Sequence, residues 1–268
     1  MKVQKPKTLE AFVDTLESKG IYYFLRKDAI SSIGFSKVAF NSAAQRLSKN
    51  KRIKQIRGDF YIILPLAYQN IGTLPGSWFI DDFMKHENVP YYISILTAAA
   101  IHGASHQQPT VFQVVANKQM RPITVGKLNI QFHYNKYAFH IPTISKKTET
   151  GYIKVATPEV TICDCLRYIS FSGQINNVAN ILIELSKVIN MEKLTQFLIN
   201  SKYELVIAQR LGYLIQKLKL NLPVEKLINF INERKPKYRL LVNQSDINII
   251  ERDKKWKILV NELVEPDI

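Results

Sequence analysis

The pattern that most restricts this chain lies in residues 36–64, where an amphipathic helix runs into two β-branched and aromatic segments parted by Arg57, Gly58 and Asp59. The Ser36 hydroxyl can accept an unpaired amide of a first helical turn. Phe40, Ala43, Ala44 and Leu47 then fall on one side up to about Asn50, so that side faces a core. Ile53 to Ile56 and Phe60 to Leu64 are strand-like, and Gly58 between them tolerates positive φ. Upstream, Thr8 can cap a helix to Lys19, on which Leu9, Phe12, Val13 and Leu16 recur until Gly20 stops it. After a short apolar stretch, Ile21 to Leu25, a second helix is expected from about Lys27 to Ile33, with a tight turn at Gly34. Helix, helix, turn, helix and hairpin in that order predict a winged helix-turn-helix. Its third helix is shaped for a major groove and its wing for phosphates or the adjacent minor groove.

Charge sharpens this reading. The chain has 37 Lys and Arg against 22 Asp and Glu, a net +15 with a pI near 9.6, which favours a polyanionic partner. The first 65 residues hold 13 of the cations against 5 acids. Density peaks where Arg46, Lys49, Lys51, Arg52, Lys54 and Arg57 occur without one acidic residue. A winged helix used for protein contact would be poor in lysine at its interface core. The outer side of the third helix carries Val38, Asn41, Ser42, Gln45 and Lys49, short or polar groups of the types that meet base edges. The expected contacts to duplex DNA are therefore Lys37, Asn41, Ser42, Gln45, Arg46, Lys49, Lys51, Arg52, Lys54 and Arg57.

Other classes fall away. No apolar run approaches the roughly 18 to 20 residues of a spanning helix, and MKVQKPKTLEAFVD has no apolar core of an export signal, so a cytoplasmic protein is expected. Cys163 and Cys165 sit at i and i+2 of an expected helix, facing different sides, and are expected to be reduced. His102 and His106 would suit a zinc pair only on one helix, and Gly103 interrupts it. A Gly-rich phosphate loop, a nucleophile elbow and a kinase signature set are all missing, so neither catalytic residues nor a cofactor or metal is expected.

Beyond Pro65 the pattern predicts an α+β fold overall, with a larger mixed α/β domain and a C-terminal helical bundle following the winged helix. Trp78 to Lys85 and Ile93 to His102 read as short helices; Val111 to Ala116, Ile123 to Val125, Leu128 to His133, Phe139 to Ile144 and Tyr152 to Ala156 read as strands. Helices follow from Thr157 to Tyr168, Asn177 to Ile189, Met191 to Asn200, Tyr203 to Leu218 and Val224 to Glu233, and Tyr238 to Val242 with Trp256 to Val260 closes against the core. LPLAYQNIGTLPG, punctuated by Pro65, Gly72, Pro75 and Gly76, reads as a connection. The expected domains are 1–68 and 69–268, the second mixed over 69–157 and mainly helical over 158–268.

Several segments together resemble a known family: RIKQIRGDFYIILP, WFIDDFMKHENVPYYISILTAAAIHGASHQQP, FQVVANKQMRP, VATPEVTICDCLRY, AQRLGYLIQ and KKWKILVNELVEPDI, in that order over nearly the whole chain. The set is similar to the AbiEi antitoxins of bacterial abortive-infection, type IV toxin–antitoxin systems. That resemblance implies an N-terminal winged helix repressing its own operon at inverted repeats and a C-terminal domain that counteracts a nucleotidyltransferase-like toxin. The toxin's own Gly-Ser and spaced aspartates are missing here, which fits the antitoxin side of the pair. Lys118, Arg121 and Lys127, around the expected sheet, are candidates for the protective surface. Two other readings use the same winged helix: a one-component regulator whose large domain senses a ligand, and a DNA-processing enzyme.

Overall fold

The computed structural model describes residues 6–105, 109–201, 205–243 and 248–266. Its fold is α+β, and the chain divides into two units. The first comprises Met1–Tyr92, Thr110–His140 and Ser145–Lys154; the second comprises Ile93–Pro109, Ile141–Ile144 and Val155–Ile268.

The first unit begins with the order α1 (Leu9–Glu17), β1 (Tyr23–Leu25), α2 (Arg26–Ile33), α3 (Lys37–Lys49), β2 (Ile53–Arg57) and β3 (Phe60–Ile63). Local chemistry sets most of these boundaries. Thr8 Oγ1 accepts from the Ala11 amide at 3.2 Å and Ser36 Oγ from the Ala39 amide at 3.1 Å. Gly34 ends α2 in the left-handed region at φ 81°, which glycine adopts at little cost. The two strands of the hairpin pair antiparallel, with a register shift between Gln55 and Arg57, and β1 adds to β3 as a third strand. Leu9, Val13, Phe24, Phe40, Leu47, Ile53 and Ile63 fill the small core between helices and sheet.

The expected boundary after residue 68 is not where the units part. Beyond α4 (Leu66–Gln69), the Trp78 ring packs against Tyr22 and Tyr68, both at 5.2 Å. Phe60 of β3 meets Phe83 of α5 (Ile80–His86) edge-on at 5.4 Å. At Gly126 an added Cβ would strike the backbone of Ile71 and Gly72, so chain that reads as linker is pinned at close range. These are tertiary contacts between aromatic residues distant in sequence, which punctuation by Pro and Gly does not report.

A six-stranded sheet has the order β6-β7-β5-β4-β9-β8, from β4 (Tyr91–Ile93), β5 (Phe112–Ala116), β6 (Ile123–Val125), β7 (Leu128–Tyr134), β8 (Thr143–Lys147) and β9 (Tyr152–Ala156). β5 and β7 run parallel, whereas β6 and β7 form an antiparallel hairpin. The strand expected at Phe139 to Ile144 begins later. Asn135 accepts the amides of Tyr137 and Ala138, a single 3₁₀ turn follows at Ala138–His140, and the strand starts only after Pro142. The helix expected from Ile93 is shortened too, since β4 runs to Ile93 and α6 is Ile95–Ile101.

In the second unit, α7 (Pro158–Arg167), α8 (Gln174–Leu185), α9 (Met191–Asn200), α10 (Leu205–Lys217) and α11 (Glu225–Glu233) share one core with α6. Thr157 caps α7 and Pro158 takes its first turn, where a missing N–H costs nothing. The tail forms a small sheet of β10 (Arg239–Leu240), β11 (Glu251–Asp253) and β12 (Ile258–Val260), ordered β10-β12-β11. Trp256 in this tail is 1% exposed and lies against Gly212 of α10, where a Cβ would overlap its ring. Cys163 and Cys165 are free and buried; burial pushes the Cys165 thiol up to about 12 and the Cys163 thiol higher still, so neither is a ready nucleophile.

Candidate nucleic-acid interface

The inward side of α3 is set by Phe40, Ala43, Ala44 and Leu47, all buried. Helical geometry then turns Lys37, Val38, Asn41, Ser42, Gln45, Arg46 and Lys49 outward, and every one of them is exposed. Val38 is 75% exposed, an apolar side chain offered to solvent on the first turn. Lys51 follows the helix and Lys54 projects from β2, both exposed. Among the described residues, Lys37, Ser42, Gln45, Arg46, Lys49, Lys51 and Lys54 make no side-chain hydrogen bond or ion pair. Their donors and charges remain available to an incoming polyanion.

Asn41 is held differently. Arg26, the first residue of α2, donates from Nη2 to Asn41 Oδ1 while its guanidinium lies 5.3 Å over the Phe40 ring and 3.8 Å from Asp59 Oδ1. A guanidinium has only donors, so it fixes which end of the amide it takes. Asn41 is left presenting Nδ2. Sequence reading missed Arg26, because its partners lie 14 and more residues away and nothing local marks it.

Two of the expected DNA contacts have partners within the chain. Arg52 Nη2 bridges Asp14 at 2.6 Å and Glu17 at 2.9 Å, two acids on α1, and Nη1 reaches the Leu64 carbonyl at 3.5 Å. Burial alone would lower its pKa, but the bonds to Glu17 and Asp14 outweigh that and raise it. Arg52 thus fastens α1 to the start of the hairpin. Arg57 Nη2 donates to the Arg121 carbonyl at 2.6 Å and its guanidinium stands 5.8 Å over the Phe83 ring, so it ties the hairpin into its own unit. Neither partner set is visible in a basic run.

Lys118, Arg121 and Lys127 are exposed, the first two between β5 and β6 and the third in the turn of the β6–β7 hairpin. Arg121 abuts the first unit's own hairpin through its carbonyl, so this patch and the α3 surface belong to one unit. His102 Nε2 lies 2.8 Å from the Ala156 carbonyl, and His106 lies outside the described residues. Groups of three or more potential metal ligands do not occur among the described residues. Nor is any described helix long and apolar enough to cross a membrane.

The architecture has a solved counterpart in RV2827C protein from Mycobacterium tuberculosis, a crystal structure superposing with a TM-score of 0.68 at 12% identity over 96% of this chain and 92% of that one. That likeness speaks for the fold. Class comes from the sequence of the larger part, which is similar to an antitoxin domain. Residues 92–217 match the family model of the AbiEi antitoxin C-terminal domain, which supports the AbiEi-type family and an antitoxin role in a toxin–antitoxin system. The match runs from β4 to the last residue of α10, includes Lys118, Arg121 and Lys127, and leaves the N-terminal module outside it. The family is not one of enzymes. No curated protein matches the chain.

Proposed function

We propose that this chain is a DNA-binding antitoxin that represses its own operon at inverted repeats through an N-terminal winged helix-turn-helix, and counteracts a nucleotidyltransferase-like toxin through its remaining residues. The observation carrying the first half is the outward side of α3 with the start of the hairpin: polar reading groups and five exposed cations, Lys37, Arg46 and Lys49 on α3, Lys51 after it and Lys54 on β2, without internal partners among the described residues. Lysines and arginines of this kind neutralise phosphates and fix register, whereas Ser42, Gln45 and Asn41 read base edges. With Arg26 bound at Oδ1, Asn41 turns Nδ2 outward as a donor toward purine N7, guanine O6 or thymine O4. Val38 meets a thymine methyl. One module reads a short site, so two copies on half-sites about one helical turn apart supply the specificity.

The second half rests on the AbiEi match over residues 92–217. Lys118, Arg121 and Lys127 are the proposed protective surface. Footprinting on the promoter upstream of the gene should show two protected half-sites in inverted orientation, and co-expression with the adjacent gene product should restore growth. A single unrepeated site bound at full affinity by one copy, or no rescue of growth, would contradict the respective half. Substituting Lys118, Arg121 and Lys127 by Glu together should remove rescue while leaving promoter binding within about threefold of wild type.

A further inference from the structure

Arg210, in the middle of α10, is 4% exposed and has no acidic partner among the described residues. Its Nε and Nη2 donate to the Leu240 carbonyl at 3.2 and 3.1 Å, Nη1 to the Leu166 carbonyl at 3.3 Å, and Nη2 also to Asn243 Oδ1 at 3.0 Å. Every acceptor is neutral. Burial lowers its pKa to about 10, which still leaves it a cation at neutral pH. A buried charge is ordinarily matched by a counter-charge, because removal from water is costly. Arg167 in the same unit shows the ordinary case: Asp164, itself 1% exposed in its side chain, pairs with it at 2.6 Å.

Arg210 also lines two cavities. One, of about 460 Å³, includes Arg167 and Glu262, so its lining already has an acid. The other, of about 540 Å³, places Arg210 with Lys237 and Arg239, with Tyr238, Leu205 and Leu259 among its further walls and no acid among the described lining residues. Neither Lys237 nor Arg239 forms an ion pair among the described residues. The surrounding segment, residues 234–257, holds eight Lys and Arg against three Asp and Glu, a second basic concentration that the density near the N-terminus overshadows.

We propose that this second cleft binds a small molecule bearing two or more phosphate charges, with Arg210 as the anion-binding group at its buried side and Lys237 and Arg239 at its exposed rim. Among the described residues these three cations have no counter-charge; together they exceed what a single carboxylate can match, whereas a diphosphate matches them. The volume lies in the usual range for small ligands, and Tyr238, Leu205 and Leu259 give a planar or apolar remainder something to pack against. One of the five guanidinium N–H groups is not used by the four internal bonds and is free to donate to a phosphate oxygen. The site stands independently of DNA binding, and would let an antitoxin domain sense a metabolite.

Calorimetric titration of the full chain with inorganic pyrophosphate and, separately, ADP at about 150 mM salt tests this, the salt screening loose surface attraction. Saturable one-to-one binding is expected for both. The double variant Lys237→Glu with Arg239→Glu, at exposed positions, should weaken binding by tenfold or more with its thermal unfolding unchanged in the absence of probe. Lys51→Ala with Lys54→Ala, in the N-terminal module, should leave the affinity within twofold. Arg210→Gln, if it folds, should abolish binding. Absence of saturable binding, weakening by the N-terminal pair but not by the rim pair, or binding of a single-stranded oligonucleotide but of neither small probe would each overturn the proposal.

Discussion

The outward side of α3 and the surroundings of Arg210 both concentrate positive charge, but they hold it in opposite ways. On α3 the cations are solvated and without partners, so folding neither gains nor loses much from them. Their effect is realised when a polyanion displaces counterions, and it follows salt concentration. Around Arg210 the guanidinium is removed from water and caged by the carbonyls of Leu166 and Leu240. Its desolvation belongs to folding, so its loss is felt first as instability and its ligand is chosen by geometry. Exposure therefore tells which physical effect a charge exerts, where a count of lysines and arginines does not.

The largest effect that would sharpen this contrast lies beside Arg210. Gly212→Ala drives a methyl group into the ring of Trp256, which is 1% exposed, and is expected to cost about 3 kcal/mol of stability through overpacking. Denaturant unfolding monitored by tryptophan fluorescence checks this. A loss under about 1 kcal/mol would mean that the tail sheet yields easily.

Burial should also leave a pH signature. His133 on β7 is buried, and burial lowers its pKa to about 4 from an ordinary 6.5. The unfolded chain thus takes up a proton between those values while the folded chain does not. The resulting stability is complete above about pH 6.5 and is lost as pH falls toward 4, by roughly 2 kcal/mol or more. Above about pH 6.5 the difference between the melting curves of wild type and His133→Phe should be constant, and as pH falls toward 4 the wild type should lose stability relative to the variant. Parallel curves would refute it.

On the exposed side, Gln45→Ala and Asn41→Ala should each cost about 1 to 3 kcal/mol on the specific site and little on random duplex. Arg26→Ala should relax the preference at the same base position as Asn41→Ala, since it frees the amide to turn. Competition binding with base-substituted sites measures both, and separate positions for the two variants would break the link. The smallest effect is expected at Arg52. Its pairs with Asp14 and Glu17 are partly exposed, so Arg52→Ala should cost at most about 1 kcal/mol of stability, less at high salt, and leave the salt dependence of DNA binding unchanged.

How much of this was legible in the sequence follows from the range of the interactions. Thr8, Ser36, Gly34 and Gly58 act within a few residues, so the N-terminal elements are read nearly to their ends. Arg52 and Arg57 are not legible: Glu17 and Asp14 lie 35 and 38 residues from Arg52, and the Arg121 carbonyl lies 64 from Arg57. Strands of three residues, such as β4 and β11, carry too little alternation to show. Arg210 hides for another reason. Residues 207–215 of α10 are buried without a break, and a polar pair inside AQRLGYLIQ gives no hint of which carbonyls or cavity it meets.

The central claim is that the five exposed cations of α3 and its hairpin, and not Arg52 or Arg57, carry the DNA. It is tested most directly by the salt dependence of promoter binding, measured by fluorescence anisotropy between about 50 and 200 mM for wild type, Lys54→Ala and Arg57→Ala. At roughly 0.9 per neutralised phosphate, log K should fall with log salt at a slope of about −4 to −5 in wild type. The slope should become shallower by about 1 in Lys54→Ala and stay at the wild-type value in Arg57→Ala. A wild-type slope near zero, or an Arg57→Ala slope shifted as far as that of Lys54→Ala, would contradict the account.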